Sequence, residues 1–303
     1  MKQDAAATAP ANQTRDGACL NCGVALGGPF CSHCGQRAMA PYPTLREMVG
    51  DTWHELSGYD GRFARTFLLL LRRPGALTLE LLAGRRARFI PPVRLYLVAS
   101  LVYFVLAAAI PNVQRPRPAQ LPGSTFTFDP MNPASRGLSD LPAQGREEVL
   151  KSVARAPMLI QLILKPILLD PASFRRGFLD VLARVLFFLV PVFAGIVALF
   201  YRRRPFSQHL LFALHLHAAI FLALMIRELS NLTRAPVVVG IFGVAALAWI
   251  GGYALLAFHR VYRQSWLTVV AKSLGIAVLY LVAGLGGLIV ALLWAAMSIG
   301  SGS

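Results

Sequence analysis

The chain has 303 residues, 56% of them hydrophobic and only 15% charged, with a mean hydropathy of +0.56. That is more apolar surface than a soluble domain hides, so an ordinary water-soluble enzyme is excluded and a membrane protein is expected. The formal net charge of +16 would suit nucleic acid, but the arginines sit mostly at the ends of apolar runs. Anionic lipid headgroups and the positive-inside bias explain them there, and nucleic acid is not expected as a partner.

Residues 1–17 read as a disordered start without the apolar core of a secretory signal, so no cleaved leader is expected. The next stretch, 18–37, carries Cys19, Cys22, Cys31 and Cys34 in the pattern C-x2-C-x8-C-x2-C, with Gly23 and Gly35 following the two pairs. Two residues between thiolates let both sulfurs of a tight turn point at one ion, and glycine permits the positive φ such a turn needs. Two such knuckles make an S4 site, for which structural zinc is the expected occupant ahead of iron or disulfides. A closed shell of four sulfurs leaves no position for an activated water, and His33 becomes a bystander.

Residues 44–92 are read as amphipathic and juxtamembrane helices. Thr44 can cap a helix whose apolar positions Leu45, Met48, Val49, Trp53 and Leu56 follow helical spacing. Such a helix packs on its neighbour or lies among headgroups. His54-Glu55 is not a zinc-protease signature, because Gly58 stands where the second histidine belongs. Arg62 to Leu71 resumes as a helix too short to span, stopped by Pro74-Gly75. Arg85, Arg86, Arg88 and Arg94 then form a basic collar around Pro91-Pro92, read as a topology determinant that contacts lipid headgroups.

The runs R-T-x-x-x-L-L-x-R-P-G, from Arg65 to Gly75, and G-R-R-x-R-x-x-x-P-x-R-L-Y, from Gly84 to Tyr96, resemble a bacterial membrane-protein family of unknown function. Members of that family also begin with a double C-x-x-C-G zinc ribbon. The likeness continues in Phe187 to Ala194 and Tyr201 to His217, leaving out the loop after the first span. It implies a polytopic membrane protein and brings no reaction or catalytic residue with it.

Spans are predicted at 93–110, 185–201, 209–226, 237–258 and 273–299, each near the length of about 20 apolar residues that crosses hydrocarbon. The fold class is therefore all-α, a transmembrane bundle of about five helices with a small ribbon before it. Residues 111–157, rich in proline, glycine and small polar residues, read as an extracytoplasmic loop. Residues 158–170 are apolar but too short to cross, and contain Lys165 and Pro166; an interfacial or re-entrant helix is expected.

If the amino terminus is cytoplasmic, the inner side carries Arg85, Arg86, Arg88, Arg94, Arg202, Arg203, Arg204, Arg260, Arg263 and Lys272. The outer side carries the shorter set Arg115, Arg117, Arg175, Arg176, Arg184, Arg227 and Arg234. The same orientation keeps the cysteines in a reducing phase, so a bacterial inner membrane with a cytoplasmic ribbon is expected.

Polar groups buried in lipid are functional suspects by default. The third span holds His209, His215 and His217, with Glu228 beyond its end. At about 100° per residue, His209 and His217 lie roughly 80° apart while His215 points nearly opposite to His217, so no one face gathers all three. Imidazoles bonded to neighbouring helices are the ordinary reading; haem or metal ligation, or a proton or quinol path, are the functional ones. In the last span, Ala283, Gly287, Ala291 and Ala295 form a small-residue seam for a helix of the same bundle or of a homodimer partner.

Together these features predict a non-enzymatic scaffold or assembly factor whose ribbon docks a cytosolic protein at the membrane. The alternative is a transporter or channel for a small solute or protons using the histidine-bearing span. A membrane enzyme is the poorest reading, because no acidic cluster lies in the predicted spans.

Overall fold

The structure is a computed structural model that describes residues 17–38, 62–110, 119–120, 127–128, 138 and 143–300. The predicted disordered start and the amphipathic helix from Thr44 to Leu56 lie outside the described residues, apart from Gly17. The described residues are overwhelmingly helical, and five helices are long and apolar enough to cross a membrane. They are α3 (Pro92–Ala109), α6 (Pro171–Phe200), α7 (Phe206–Leu229), α8 (Pro236–Tyr262) and α9 (Trp266–Gly300). Shorter helices are α1 (Arg62–Arg72), α2 (Ala76–Leu82), α4 (Ala143–Ala154) and α5 (Met158–Leu169), and a 3-10 turn, Ser230–Thr233, follows α7.

The chain divides into two compact units, one built from 1–113 and 193–276 and the other from 114–192 and 277–303. In the first unit α7 is the axis. Its amino-terminal half is buried on every side, and Leu211, Phe212, Ala213, Leu214, Leu216, Ala218 and Ala219 are buried there together with His209, His215 and His217. The alanines remove bulk, so helices can approach closely. Tyr96, Tyr103 and Phe104 of α3 group around Phe221 of α7, with ring centroids 5.4 to 5.9 Å from the Phe221 ring.

The short helices α1 and α2 are tied to the same bundle through their ends. Pro74-Gly75 breaks the chain, and Gly75 takes φ +74, a conformation open to glycine at little cost. A Cβ there would also meet Val261 and the Ala257 backbone at 3.0 to 3.2 Å. The Tyr253 hydroxyl donates to the Leu70 carbonyl in the last turn of α1 at 2.9 Å, where Pro74 has no N–H to offer, and the Arg260 guanidinium donates to the Pro74 carbonyl in the turn that follows. Lys272 does the same for Phe200 at 3.1 Å.

In the second unit Asp170 caps α6. Its carboxylate accepts from the Ser173 amide at 3.0 Å, with Pro171 in the first helical position, where a missing N–H costs nothing. The Ser173 hydroxyl, with that amide bond, holds Asp170 below the usual carboxylate range. The core behind it joins Phe174 and Phe178 of α6 to Ala291, Ala295 and Ala296 of α9. Gln161 ties α5 to the end of α4, donating to the carbonyls of Ala154 and Ala156 at 3.0 and 2.7 Å.

Two predicted segments are accompanied by more helix than expected. The 111–157 loop ends in a helix, α4, stabilised by good helix formers and a Glu147–Lys151 pair one turn apart at 2.7 Å; a two-residue ladder joins Ala119–Gln120 to Thr127–Phe128 earlier in it. The helix that carries most of the span predicted at 185–201 is longer than that span, running from Pro171 to Phe200. Apolarity marks only its lipid-like part, whereas helical hydrogen bonding continues through Arg175, Arg176, Asp180 and Arg184.

Candidate metal centre and buried polar groups

The ribbon is two copies of one turn, twelve residues apart in sequence. In the first, the Gly23 amide donates to the Cys19 carbonyl and the Cys19 amide to that of Val24, both at 2.8 Å; in the second, Gly35 donates to Cys31 at 2.9 Å and Cys31 to Gln36 at 2.8 Å. Gly23 and Gly35 take φ +81 and +70, as the spacing requires. The turns bring all four sulfurs within 4.8 Å of one another. Cys19 Sγ lies 3.6 Å from Cys34 Sγ and Cys22 Sγ lies 3.5 Å from Cys31 Sγ. A tetrahedron of sulfurs about 2.3 Å from a central ion has edges of about 3.8 Å, so the donor set fits a tetrahedral metal. A disulfide requires about 2.05 Å, and all four cysteines are free.

The thiols divide in their acidity. At Cys22 the Val24 amide favours the thiolate, but burial and the neighbouring sulfurs outweigh it and push the thiol up to about 12. The Cys34 and His33 amides pull Cys31 down against the cost of burial. Burial also opposes ionisation of Cys34, yet the Gln36 amide, Asn21 and the sulfurs of Cys19 and Cys22 bring it down to about 6. Four sulfurs this close cannot all ionise unaided, and a bound cation removes the conflict.

The collar arginines find partners in the protein. Arg85 pairs with Glu80 through two bonds of 2.6 and 2.8 Å, which holds the Glu80 carboxyl below its ordinary range. Arg88 donates to the Asn21 carbonyl in the first knuckle at 3.0 Å. Arg94 stacks over Phe63, 5.6 Å from the ring centre. Gln36, just after the second knuckle, donates to the Gly84 carbonyl at 2.7 Å and accepts from the amides of Arg86 and Ala87 at 3.0 Å. These contacts join the ribbon to the 84–88 loop, a connection the sequence reading missed. Its one local signal was a polar side chain next to the last knuckle.

The three histidines go to three different places. His209 Nδ1 bonds the Tyr262 hydroxyl of α8 at 2.8 Å. His215 Nδ1 bonds the Thr78 hydroxyl of α2 at 2.9 Å. His217 Nδ1 lies 2.8 Å from the Ala213 carbonyl one turn back, and its ring meets the edge of Phe193 at 5.1 Å. All three are buried. Among the described residues, the four cysteines are the only group of three or more such side chains placed to share an ion. Glu228 is buried with Arg227 at 2.8 Å and Asn231 at 2.9 Å, closing the end of α7.

The small-residue seam of α9 receives α6 of its own chain. Ala291 and Ala295 are fully buried in the Phe174–Phe178 core, and a Cβ on Gly287 would lie 2.5 Å from Val185. Ala283 is half-buried.

Residues 60–104 match a family described as "Protein of unknown function (DUF3667)". The matched segment runs from α1 through most of α3 and includes the loop that Gln36 and Arg88 join to the ribbon. No curated protein gives a significant match, and no solved structure does.

Proposed function

We propose that this is a multi-pass protein of the bacterial inner membrane whose ribbon holds one structural Zn2+ in the cytosol and docks a soluble protein there, with no reaction of its own. The single observation that carries the reading is the fixed seat of the ribbon: Gln36 and Arg88 join it to the loop at the head of α3. A module held in this way presents a defined face at the membrane surface. Val24 and Phe30 stand exposed on it, apolar side chains of the kind that anchor protein contacts. Zinc suits four thiolates in a closed tetrahedron, and such a shell leaves no position for substrate. The excess of basic residues on the ribbon's side and the stability of free thiolates in a reducing phase support the cytoplasmic orientation.

A photo-crosslinking residue placed at Phe30 in native membranes tests this. The proposal expects one discrete protein adduct, lost when Cys31 is replaced by Ser; labelling of lipid alone, or of no protein, contradicts it. The rival reading, passage of a proton or small solute along α7, is favoured by His215 Nε2, a buried ring nitrogen with no hydrogen-bond partner among the described residues. It predicts that His215→Ala abolishes function while Cys19→Ser spares it.

A further inference from the structure

We propose that the ribbon is a metal-dependent latch on the 84–88 loop: with its ion it fixes the loop's backbone, and without it the loop is released. This holds whether or not a soluble partner exists, since both halves of the latch belong to this chain.

The ribbon is held by the backbone bonds of its two turns, with its four sulfurs at the centre. Its buried described residues are Cys19, Asn21 and Cys31, so no apolar core would preserve the two turns once the ion is gone. Those turns set the positions of every group that grips the loop. The Gln36 carbonyl accepts from the Cys31 amide, which places the Gln36 side chain where it makes its three bonds to Gly84, Arg86 and Ala87. Asn21, which takes the Arg88 guanidinium on its carbonyl, lies between the two cysteines of the first turn. Leu20, beside it, packs onto Gly84, where an added Cβ would lie 2.6 Å from Leu20 Cδ1. Gly84 has φ +82, so its conformation and the close approach both call for glycine.

The other end of the loop is held independently of the ribbon. The Ile90 amide donates to the Thr66 hydroxyl at 3.1 Å, and that hydroxyl donates in turn to the Arg62 carbonyl at 2.6 Å. Loss of the ion therefore frees the amides of Arg86 and Ala87 and leaves that of Ile90 bonded. The latch sits directly before Pro91 and Pro92, where α3 begins, so it governs the segment from which the first candidate span emerges.

Hydrogen exchange on the full-length protein in nanodiscs, with and without EDTA treatment and with metal content measured alongside, tests the proposal. The Arg86 and Ala87 amides are expected to exchange at least about tenfold faster once metal is removed, Ile90 to stay slow, and added Zn2+ to restore protection. Gln36→Ala should accelerate the same two amides while the bound metal is kept, which separates the latch from general unfolding. Unchanged protection of Arg86 and Ala87 in metal-free protein, or in Gln36→Ala, would overturn the proposal.

Discussion

The ribbon and α7 both withdraw polar side chains from solvent, and they do so in opposite ways. In the ribbon, four sulfurs gather within 4.8 Å of one another. In α7, three histidines only a few residues apart diverge, to Tyr262, to Thr78 and to the helix's own Ala213 carbonyl. Convergence makes a site that needs a ligand to resolve its charge, whereas divergence makes separate packing joints that are largely satisfied by the protein. Residue type alone does not distinguish the two; the arrangement of partners does.

The sharpest way to break this contrast is to remove one sulfur. Cys31→Ser should lose the bound metal completely and with it the fold of the ribbon, since structural zinc contributes about 10–16 kcal/mol to small domains; metal analysis of the purified protein reads the result. Next in size is the polar cluster that closes α7. Glu228→Ala leaves Arg227 and Asn231 facing each other without their shared acceptor, and a loss of about 3 kcal/mol is expected in thermal melts in detergent. His215→Ala strands the Thr78 hydroxyl and opens a hole in a packed region, for a loss of about 2 kcal/mol.

Removing a single bond should cost less. Tyr262→Phe deletes only the hydroxyl that meets His209, and about 1 kcal/mol is expected from the same melts. Smallest is the pH response of the Glu80–Arg85 pair. Arg85 lowers the folded-state value of Glu80, so the pair's contribution is present above the unfolded carboxylate range and fades as pH falls through the folded value. Both side chains are about one-third exposed, so solvent screening limits the effect to roughly 0.5 kcal/mol. It is checked by comparing acid titrations of melting for Glu80→Gln and the parent.

What the sequence revealed follows the same division. The cysteine turns were legible because their geometry is local: two intervening residues and a glycine decide where both sulfurs point. The five long apolar helices were legible because lipid imposes length and composition on any helix that crosses it. The reach of Gln36 to residues 84–87, and the choice of Thr78 and Tyr262 as histidine partners, depend on elements far apart in the chain and left no periodic mark. The helix Ala143–Ala154 was masked by the proline-rich composition before it, although Glu147 and Lys151 one turn apart carried its signal. The α9 seam was readable as a close-packing surface, but only the structure shows that α6 of the same chain packs on it at Gly287, Ala291 and Ala295.

X-ray absorption at the metal edge of the purified full-length protein tests the central contrast most directly. One ion per chain with four sulfur neighbours near 2.3 Å and no nitrogen is the predicted result. Imidazole nitrogen in the shell, or no bound metal in protein prepared without chelators, would contradict it.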